Sequence, residues 1–371
     1  GKLPGIQAGL ELCAGDPTGF WYYPDPETAA AALEAEDRDF LGIHEEMLGR
    51  PLRECRGTSG VAGEAPEELR LDHANDRLLR AFGSGKGRVV ATSMGIAGNS
   101  GMSSSFYYLL AKDETRRRLV EDTDSYRIFM ESQAVMRGVS KNTICDGAPF
   151  MTYAVGLDKR SLLPPFMPVL RNSDSLFGTL LPLVDPDAFF GYLPQAITHL
   201  PPERRGCPGR SYLATPAGSD SISMIGMVIL SFPLTATAGG TETDRTMALG
   251  RYLQSVSRLG VPEFIEFLLP RYLRDKARLI GELERLLVIH KGQPQAWAED
   301  VQGSIDAIYA ALETRASLCP RDLCVGRTPD EAIALLLDLI GRYGELLEYW
   351  PDIVIAAKNL RERGIRLAVP V

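Results

Sequence analysis

The residues between positions 145 and 199 begin with CDGAPFMT (Cys145–Thr152), continue through RNSDSLFG (Arg171–Gly178) and end with AITH (Ala196–His199). Turn residues, aromatic side chains and single charged groups alternate here between apolar runs. Several polar groups so close together are unusual in a buried segment, and aromatic residues beside them are unusual in an ordinary surface loop. The succession of strand, glycine turn, aromatic loop and acidic helix start predicts a cleft in an α/β sheet.

Length and charge narrow the class of protein. A chain of 371 residues suggests two or three domains. Its composition, 45% hydrophobic and 24% charged, is that of a soluble globular protein. A net charge of −8 argues against nucleic acid as a partner of the whole chain. The longest apolar run, Ile222–Leu234, is too short to cross a bilayer, so we expect no transmembrane segment.

The chain start and the cysteines indicate the compartment. The first five residues, GKLPG, are not a signal peptide, and whether a segment precedes Gly1 stays open. Six cysteines occur without a CxxC pair, which predicts a reducing, cytoplasmic setting. Cys145 is expected to be a small buried hydrophobe rather than a nucleophile.

The first half of the chain predicts mixed strands and helices. Strands are expected at Phe20–Tyr23, Arg88–Thr92 and Val139–Cys145, and helices at Glu27–Glu36, Phe40–Leu48, Glu67–Phe82, Asp113–Met136 and Ser175–Leu183. We expect His44 to be an exposed helical histidine rather than a ligand.

Two glycine-rich loops in this half can be compared with known functional motifs. Gly83–Gly87 looks like a phosphate loop, but it follows a helix and lacks Ser or Thr after its lysine, which indicates a helix-to-strand turn. Gly95–Met102 is predicted to be a loop lining a cleft. Ser100 within it lacks the full Gly-x-Ser-x-Gly pattern, and a hydrolase built on Ser100 is an alternative function.

The second half is predicted to be helical. The Pro- and Gly-rich run Pro201–Gly209 suggests an exposed linker, which divides an α/β domain (residues 1–205) from a mostly α-helical C-terminal domain (residues 206–371). Helices are expected at Leu249–Val256, Pro262–Ile289, Trp297–Leu312, Thr328–Leu347 and Ile353–Arg363. Thr328 followed by Pro329 is a typical helix start. We expect His290 to be a surface residue at the end of a helix. If the chain forms a homo-oligomer, we expect the contact in this helical region.

Residue chemistry gives two interpretations for the polar groups between positions 145 and 199. Asp174 is expected near the start of a helix, either as its N-cap or as a general base for a hydroxyl group. Arg171 or Asn172 would hold phosphate or sugar oxygens. His199, at the end of a predicted strand, would bind a divalent ion or a diphosphate, or be structural.

The order of these motifs resembles the GT-A glycosyltransferases, above all the inverting, family-two-like enzymes and a bacterial group of such proteins. The matching segments are Gly147–Met151, Val155–Asp158, Asn172–Gly178 and Ile197–His199. The close resemblance covers roughly a seventh of the chain. It implies a GT-A-like, Rossmann-like mixed sheet with helices.

The resemblance also implies an activity. Such a protein moves a sugar from a nucleotide sugar to a hydroxyl of a carbohydrate or another acceptor, with inversion. It implies Asp174 as the catalytic base and His199 as a ligand of Mn²⁺ or Mg²⁺. The residues that it implies for donor and acceptor binding are Asp146, Gly147, Phe150, Arg171 and Asn172.

One feature of that family is missing from the expected place. The Asp-x-Asp that holds the metal and the donor diphosphate should follow a strand. Asp185-Pro186-Asp187 comes after Asp174 in the chain, and Asp122-Thr123-Asp124 lies within a predicted helix. The donor half would then precede Gly1 or be lost. The alternative function is therefore a non-catalytic binding or scaffold protein derived from a degenerate transferase.

Overall fold

The computed structural model describes residues 1–36, 39–55, 69–99, 105–147, 152–202, 209–233, 239–313 and 318–365. The chain forms two compact units, each made of three stretches. The first unit comprises Gly1–Asp158, Asp187–Ser219 and Tyr272–Leu318, and the second comprises Lys159–Pro186, Asp220–Arg271 and Cys319–Val371. The division between residues 205 and 206 stays a prediction, and most of its linker lies outside the described residues.

All strands of the described chain belong to one mixed sheet in the first unit. They are β1 (Leu10–Cys13), β2 (Gly19–Tyr22), β3 (Leu69–His73), β4 (Arg88–Asn99), β5 (Ala134–Gly138), β6 (Asn142–Cys145), β7 (Val155–Leu157) and β8 (Ala188–His199). Their order is β2-β5-β4-β8-β6-β1-β3, and β7 pairs with β4 beside β5. The β1–β3, β1–β6 and β4–β8 pairs are parallel, and the others are antiparallel. The predicted α/β class with a mixed sheet is therefore confirmed.

The described α-helices, in chain order, are α1 (Pro26–Ala31), α2 (Phe40–Glu45), α3 (Asp76–Ser84), α4 (Phe106–Leu109), α5 (Asp113–Leu119), α6 (Thr123–Met130), α7 (Ser173–Val184), α8 (Ser221–Ile229), α9 (Glu242–Ser257), α10 (Val261–Ile289), α11 (Gln295–Leu312) and α12 (Pro329–Glu362). The helical C-terminal region is thus confirmed. Among these helices, none combines the length and the apolar character that crossing a bilayer requires.

Apolar clusters pack against the sheet of the first unit. One joins side chains of β1, β4, β6 and β8 with those of α2 and α3, among them Leu12, Ile43, Leu78 and Phe189. Another packs α4, α5, α6 and α11 around Trp297. These helices cover the sheet with the apolar stripe that their periodicity predicts.

Buried polar contacts fix α11 within the second cluster. The Asp300 carboxylate accepts hydrogen bonds from the hydroxyls of Tyr126 (2.9 Å) and Tyr212 (2.5 Å). The indole of Trp297 donates to the Leu109 carbonyl at 3.2 Å, and the Arg116 guanidinium lies 4.0 Å from the indole centroid. A buried carboxylate with two hydroxyl donors is satisfied, so Asp300 has a structural role here.

In the second unit, α9 and α12 touch through their backbones. A Cβ added at Gly344 would lie 2.7 Å from the Gly250 carbonyl oxygen and 2.9 Å from the Gln254 nitrogen. A Cβ added at Gly250 would lie 2.6 Å from the nitrogen of Glu348. Two glycines at this crossing therefore allow an approach that any side chain would block.

Two helix predictions in the first half are wrong in part. Within the predicted helix Glu67–Phe82, residues Leu69–His73 form the edge strand β3, and the helix begins only after the Asn75 cap. The predicted helix Asp113–Met136 is divided, because the Asp122 carboxylate accepts from the Ser125 nitrogen at 2.8 Å and starts α6. Its last residues belong to β5.

Two other boundaries were also predicted wrongly. The predicted loop Gly95–Met102 is strand as far as Asn99, because β4 keeps its pairing with β8 to Gly98. The rest of that loop, with Ser100, lies outside the described residues. Thr328–Leu347 and Ile353–Arg363 are one helix, α12, which continues through Pro351. The predicted helices Pro262–Ile289 and Trp297–Leu312 are confirmed within two residues, as α10 and α11. The helix predicted at Leu249–Val256 is α9, which already begins at Glu242.

Candidate functional site

The residues predicted for the site are divided between the two units. The first unit carries Asp146, Gly147 and His199, and the second carries Arg171, Asn172 and Asp174. Phe150 lies outside the described residues.

His199 ends β8, as predicted, opposite Gly98 of β4. Its Nδ1 lies 2.7 Å from the backbone carbonyl oxygen of Asn99. A carbonyl only accepts, so Nδ1 carries the proton and donates it. In the neutral ring Nε2 then has a free lone pair, which is the form of the ring that binds a metal ion. The Tyr153 ring packs against the imidazole, with centroids 5.8 Å apart.

A small pocket of mixed character adjoins Tyr153 in the same unit. It is lined by Thr18, Ser93, Met94, Gly95, Ile96, Arg137, Gly138, Val139, Tyr153, Tyr192 and Leu193, and it encloses about 20 Å³. That volume holds one water molecule or one polar group of a ligand, and not a whole sugar ring.

Tyr192 gives this pocket an unsatisfied donor. It lies on β8 and is only 5% exposed, and its hydroxyl has no hydrogen-bond partner among the described residues. Burial raises the pKa of this hydroxyl well above its ordinary value, with smaller contributions from Cys145 and Asp16. The group therefore stays protonated and can donate. A buried hydroxyl without a partner is costly, so a ligand group or a water bound there is favoured.

The positive charge of the pocket is already paired. The buried Arg137 guanidinium donates to Asp16 Oδ2 (2.7 Å) and to Thr18 Oγ1 (2.8 Å), both in the turn after β1. Its plane also faces the Phe20 ring at 5.3 Å. The pair orders the turn between β1 and β2 and leaves little net charge in the pocket. A neutral hydroxyl or carbonyl therefore suits the pocket better than a free anion.

Asp146 and Gly147 follow β6 directly. The Asp146 carboxylate accepts from the backbone nitrogen of Gly15 (3.2 Å) and from Asn75 Nδ2 (2.5 Å), which ties the turns after β1 and β6 to the start of α3. Gly147 has φ of +129°, a value that residues other than glycine rarely adopt. These contacts give Asp146 a structural task, and its predicted part in ligand binding stays a prediction.

Cys145, just before this turn, is buried, as expected. Its thiol lies 2.8 Å from the Gly15 carbonyl oxygen, and burial raises its pKa far above the ordinary value. A thiol that resists deprotonation is a poor nucleophile.

The second unit presents the acidic motif at the start of α7. Asn172 precedes the helix in the left-handed conformation, with φ of +61°, and its side chain does not cap the helix. Asp174 is half-buried inside the first turn, and its Oδ1 accepts from the Ser175 nitrogen at 3.0 Å. Arg171 and Asn172 are exposed. Asp174 is thus not the N-cap, and a non-glycine residue is held in a strained conformation beside it.

The proline-rich segment before this motif is fixed by helix α12 of the same unit. Tyr343 donates its hydroxyl to the Pro165 carbonyl at 2.7 Å, and the Trp350 indole donates to the Leu163 carbonyl at 2.7 Å. The Phe166 ring stacks on Phe177 of α7, with centroids 4.5 Å apart. Helix α12 therefore supports the backbone that leads into Asp174.

A wider groove lies elsewhere in the second unit. It has a volume of about 630 Å³ and lies between the end of α9, the start of α10 and the middle of α12. Its walls carry both signs of charge, with Arg342 Nε paired to Asp338 at 2.8 Å. A groove of this size suits a small molecule, but its mixed walls favour no single ligand charge.

Two histidines differ from their predictions. His44 is 3% exposed rather than on the surface, because α2 packs on β4, and its Nδ1 bonds Thr92 Oγ1 at 2.8 Å. Burial lowers its pKa. His290 follows α10, as predicted, but it packs edge-on against Trp297, and burial and the charges of Arg116 and Arg285 lower its pKa.

Within the described ranges, no three His, Cys, Asp or Glu side chains come together as a metal site. Comparisons with protein-family models, with curated proteins and with solved structures found no match. Sequence reasoning missed Tyr192, Arg137 and Asp16. A polar residue inside an otherwise apolar strand, such as Arg137 in AVMRG, is the signal that could have found the pocket.

Proposed function

We propose that the chain is a glycosyltransferase that moves a sugar from a nucleotide sugar to an acceptor hydroxyl with inversion. The observation that carries the proposal is the His199 ring at the end of β8. Its Nδ1 proton is committed to the Asn99 carbonyl, and its Nε2 is left for a ligand. The α/β sheet around it is a common setting for nucleotide binding.

In this proposal His199 helps to hold a divalent cation, Mn²⁺ or Mg²⁺, together with oxygens of the donor diphosphate and water. One imidazole and several oxygens are an acceptable ligand set for such an ion. The ion would supply positive charge to the leaving diphosphate. The Tyr192 hydroxyl would donate to one neutral oxygen of the donor.

Asp174 is the proposed general base. Its carboxylate takes the proton of the acceptor hydroxyl while the hydroxyl oxygen attacks the anomeric carbon. The bond from that carbon to the diphosphate oxygen breaks on the opposite side, and the nucleoside diphosphate leaves with the electron pair. Arg171 and Asn172, exposed beside Asp174, would bind oxygens of the acceptor.

A second candidate is a protein that binds such a ligand without turnover. The engagement of the Asp146 carboxylate by Gly15 and Asn75 favours it, because that acid follows β6 where a metal-binding carboxylate would be expected. We also propose a cytoplasmic setting and a homo-oligomer formed through the helical C-terminal region.

The decisive experiment is a thermal-shift screen with uridine, guanosine and thymidine diphosphates and their sugars, with and without Mn²⁺. A metal-dependent rise in Tm with one nucleotide supports donor binding, since a ligand at 100 times its Kd adds about 2.7 kcal/mol of stability. Release of nucleoside diphosphate from the matching sugar donor then distinguishes a transferase from a binding protein. No shift with any nucleotide contradicts both.

A further inference from the structure

Two thiols lie against each other just before α12 in the second unit. The Sγ atoms of Cys319 and Cys324 are 2.7 Å apart. A disulfide requires about 2.05 Å, so a small movement of either side chain would complete the bond. Cys319 is buried, whereas Cys324 is half-exposed and also bonds the Pro320 carbonyl oxygen at 3.2 Å. One thiol of the pair is therefore open to a reagent and the other is placed behind it.

The other described cysteines are differently placed. Cys13 and Cys145 are register partners on β1 and β6, but their thiols point to backbone carbonyls, those of Ala14 (3.7 Å) and Gly15 (2.8 Å). Cys55 is likewise buried, and its thiol bonds the Pro51 carbonyl oxygen at 3.4 Å. Cys13 and Cys55 are both buried and neither has a half-exposed thiol beside it in the described chain, so an oxidant does not reach them as it reaches Cys324.

We propose that Cys319 and Cys324 are a redox dithiol that forms a reversible intramolecular disulfide with a low-molecular-weight disulfide, such as oxidised glutathione. The Cys324 thiolate attacks one sulfur of the oxidant, and one glutathione thiolate leaves. Cys319 then gives its proton to a thiolate or to water and attacks Cys324 Sγ, and the second glutathione leaves. The protein loses two hydrogens and two electrons, and the oxidant becomes two thiols.

The bridge would act on a contact that lies inside its own loop. Asp322, between the two cysteines, accepts the backbone N–H of Ser221 at 2.8 Å and also the Ser221 hydroxyl. Ser221 is the first residue of α8. Closing the loop restricts Asp322 and therefore stabilises the start of α8. We expect slower hydrogen exchange at the Ser221 amide in the oxidised protein than in the reduced protein.

Tryptic mapping tests the proposal on the whole chain, because Arg321 lies between the two cysteines. Trypsin cuts after Arg315, Arg321 and Arg327, which gives ASLCPR and DLCVGR. After treatment with oxidised glutathione these two peptides should remain joined, and dithiothreitol should separate them. Separate peptides after oxidation, or a bridge to another cysteine or to a second chain, would overturn the proposal.

Serine variants separate the two steps. Cys319→Ser should accumulate one glutathione on Cys324, because the resolving thiol is gone. Cys324→Ser should stay unmodified at Cys319, because that thiol is buried. Cys13→Ser is the matched control and should leave the bridge unchanged. Rapid glutathione addition to Cys319 in the Cys324→Ser variant, or no addition to Cys324 in Cys319→Ser, contradicts the assigned order of reaction.

Discussion

The imidazole of His199 donates its Nδ1 proton to the backbone carbonyl of Asn99 over 2.7 Å, across the β4–β8 pair. The backbone of one strand thereby sets the tautomer of a side chain on the next. The same interaction orients the ring, so Nε2 is available to a ligand without reorganisation.

His199→Ala is accordingly expected to reduce metal-dependent nucleotide binding by about tenfold or more, because even the loss of an outer-shell partner of a metal ligand costs about 10–100-fold. Titration calorimetry with a nucleoside diphosphate and Mn²⁺ measures the change. His73→Ala is the matched control, because His73 is exposed on the edge strand β3. Equal affinity in wild type and His199→Ala would return His199 to a structural role.

Asp174→Asn should abolish sugar transfer and change the free energy of unfolding by no more than about 1 kcal/mol, because Asp174 lies in the first turn of α7 without capping it. Product formation and urea denaturation give the two quantities. Asp124→Asn removes an equivalent first-turn acid from α6 and should leave transfer intact. Transfer that persists in Asp174→Asn rules out Asp174 as the base.

Tyr192→Phe removes a buried hydroxyl that has no partner among the described residues. We expect unchanged or slightly higher stability, together with weaker binding of the ligand found in the thermal-shift screen. Tyr343→Phe is the contrast, because it breaks the bond to the Pro165 carbonyl and should cost about 1 kcal/mol. A similar loss of stability in Tyr192→Phe would show that its hydroxyl is satisfied in the folded protein.

Acid should destabilise the protein through His44. Burial holds its pKa below the ordinary value of 6.5, so the unfolded chain takes up the proton first as pH falls. The contribution of His44 to the free energy of unfolding is complete above pH 6.5 and is lost as the pH falls from there towards the lower pKa of the folded state. The free energy of unfolding then falls by at most about 1.4 kcal/mol per pH unit.

His44→Gln should remove this part of the pH dependence. Urea unfolding at several pH values, for wild type and variant, gives the difference directly. The pKa of His290 is shifted in the same direction, so the wild-type curve alone does not isolate His44. Parallel curves for wild type and His44→Gln would show that His44 does not titrate in this range.

Gly344→Ala should destabilise the second unit by about 1–3 kcal/mol, because the added Cβ meets the backbone of α9. Gly281→Ala is the matched control inside α10, where an added Cβ meets nothing within 4 Å. It should stabilise by about 0.5–1 kcal/mol. Thermal denaturation compares the two, and similar Tm changes would mean that α9 and α12 can separate at no cost.

Sequence reasoning succeeded where a local signal is sufficient. The capping box of Thr328 and Glu331 starts α12, and apolar periodicity marks α10 and α11. It failed where distant segments decide the outcome. His44 is followed by Glu45 and Glu46, which suggests exposure, yet α2 places it against Thr92 of β4. No local pattern reports that packing.

The pocket illustrates the same limit. Asp16 and Arg137 are separated by 121 positions and meet only because β2 pairs with β5. Tyr192 joins them from β8, inside a strand whose apolar run gives no hint of function. Strand pairing over such separations is a tertiary property, and a single sequence encodes it too weakly to be inferred.

The bonds from Tyr343 and Trp350 to the carbonyls of Pro165 and Leu163 span more than 170 positions of the chain. Helix α12 thus supports a segment that lies far earlier in the chain. Shortened versions of the protein that end before Tyr343 would lose both attachments while keeping every residue of the acidic motif. A loss of activity in such a shortened protein would therefore result from a displaced backbone and not from the loss of a catalytic residue.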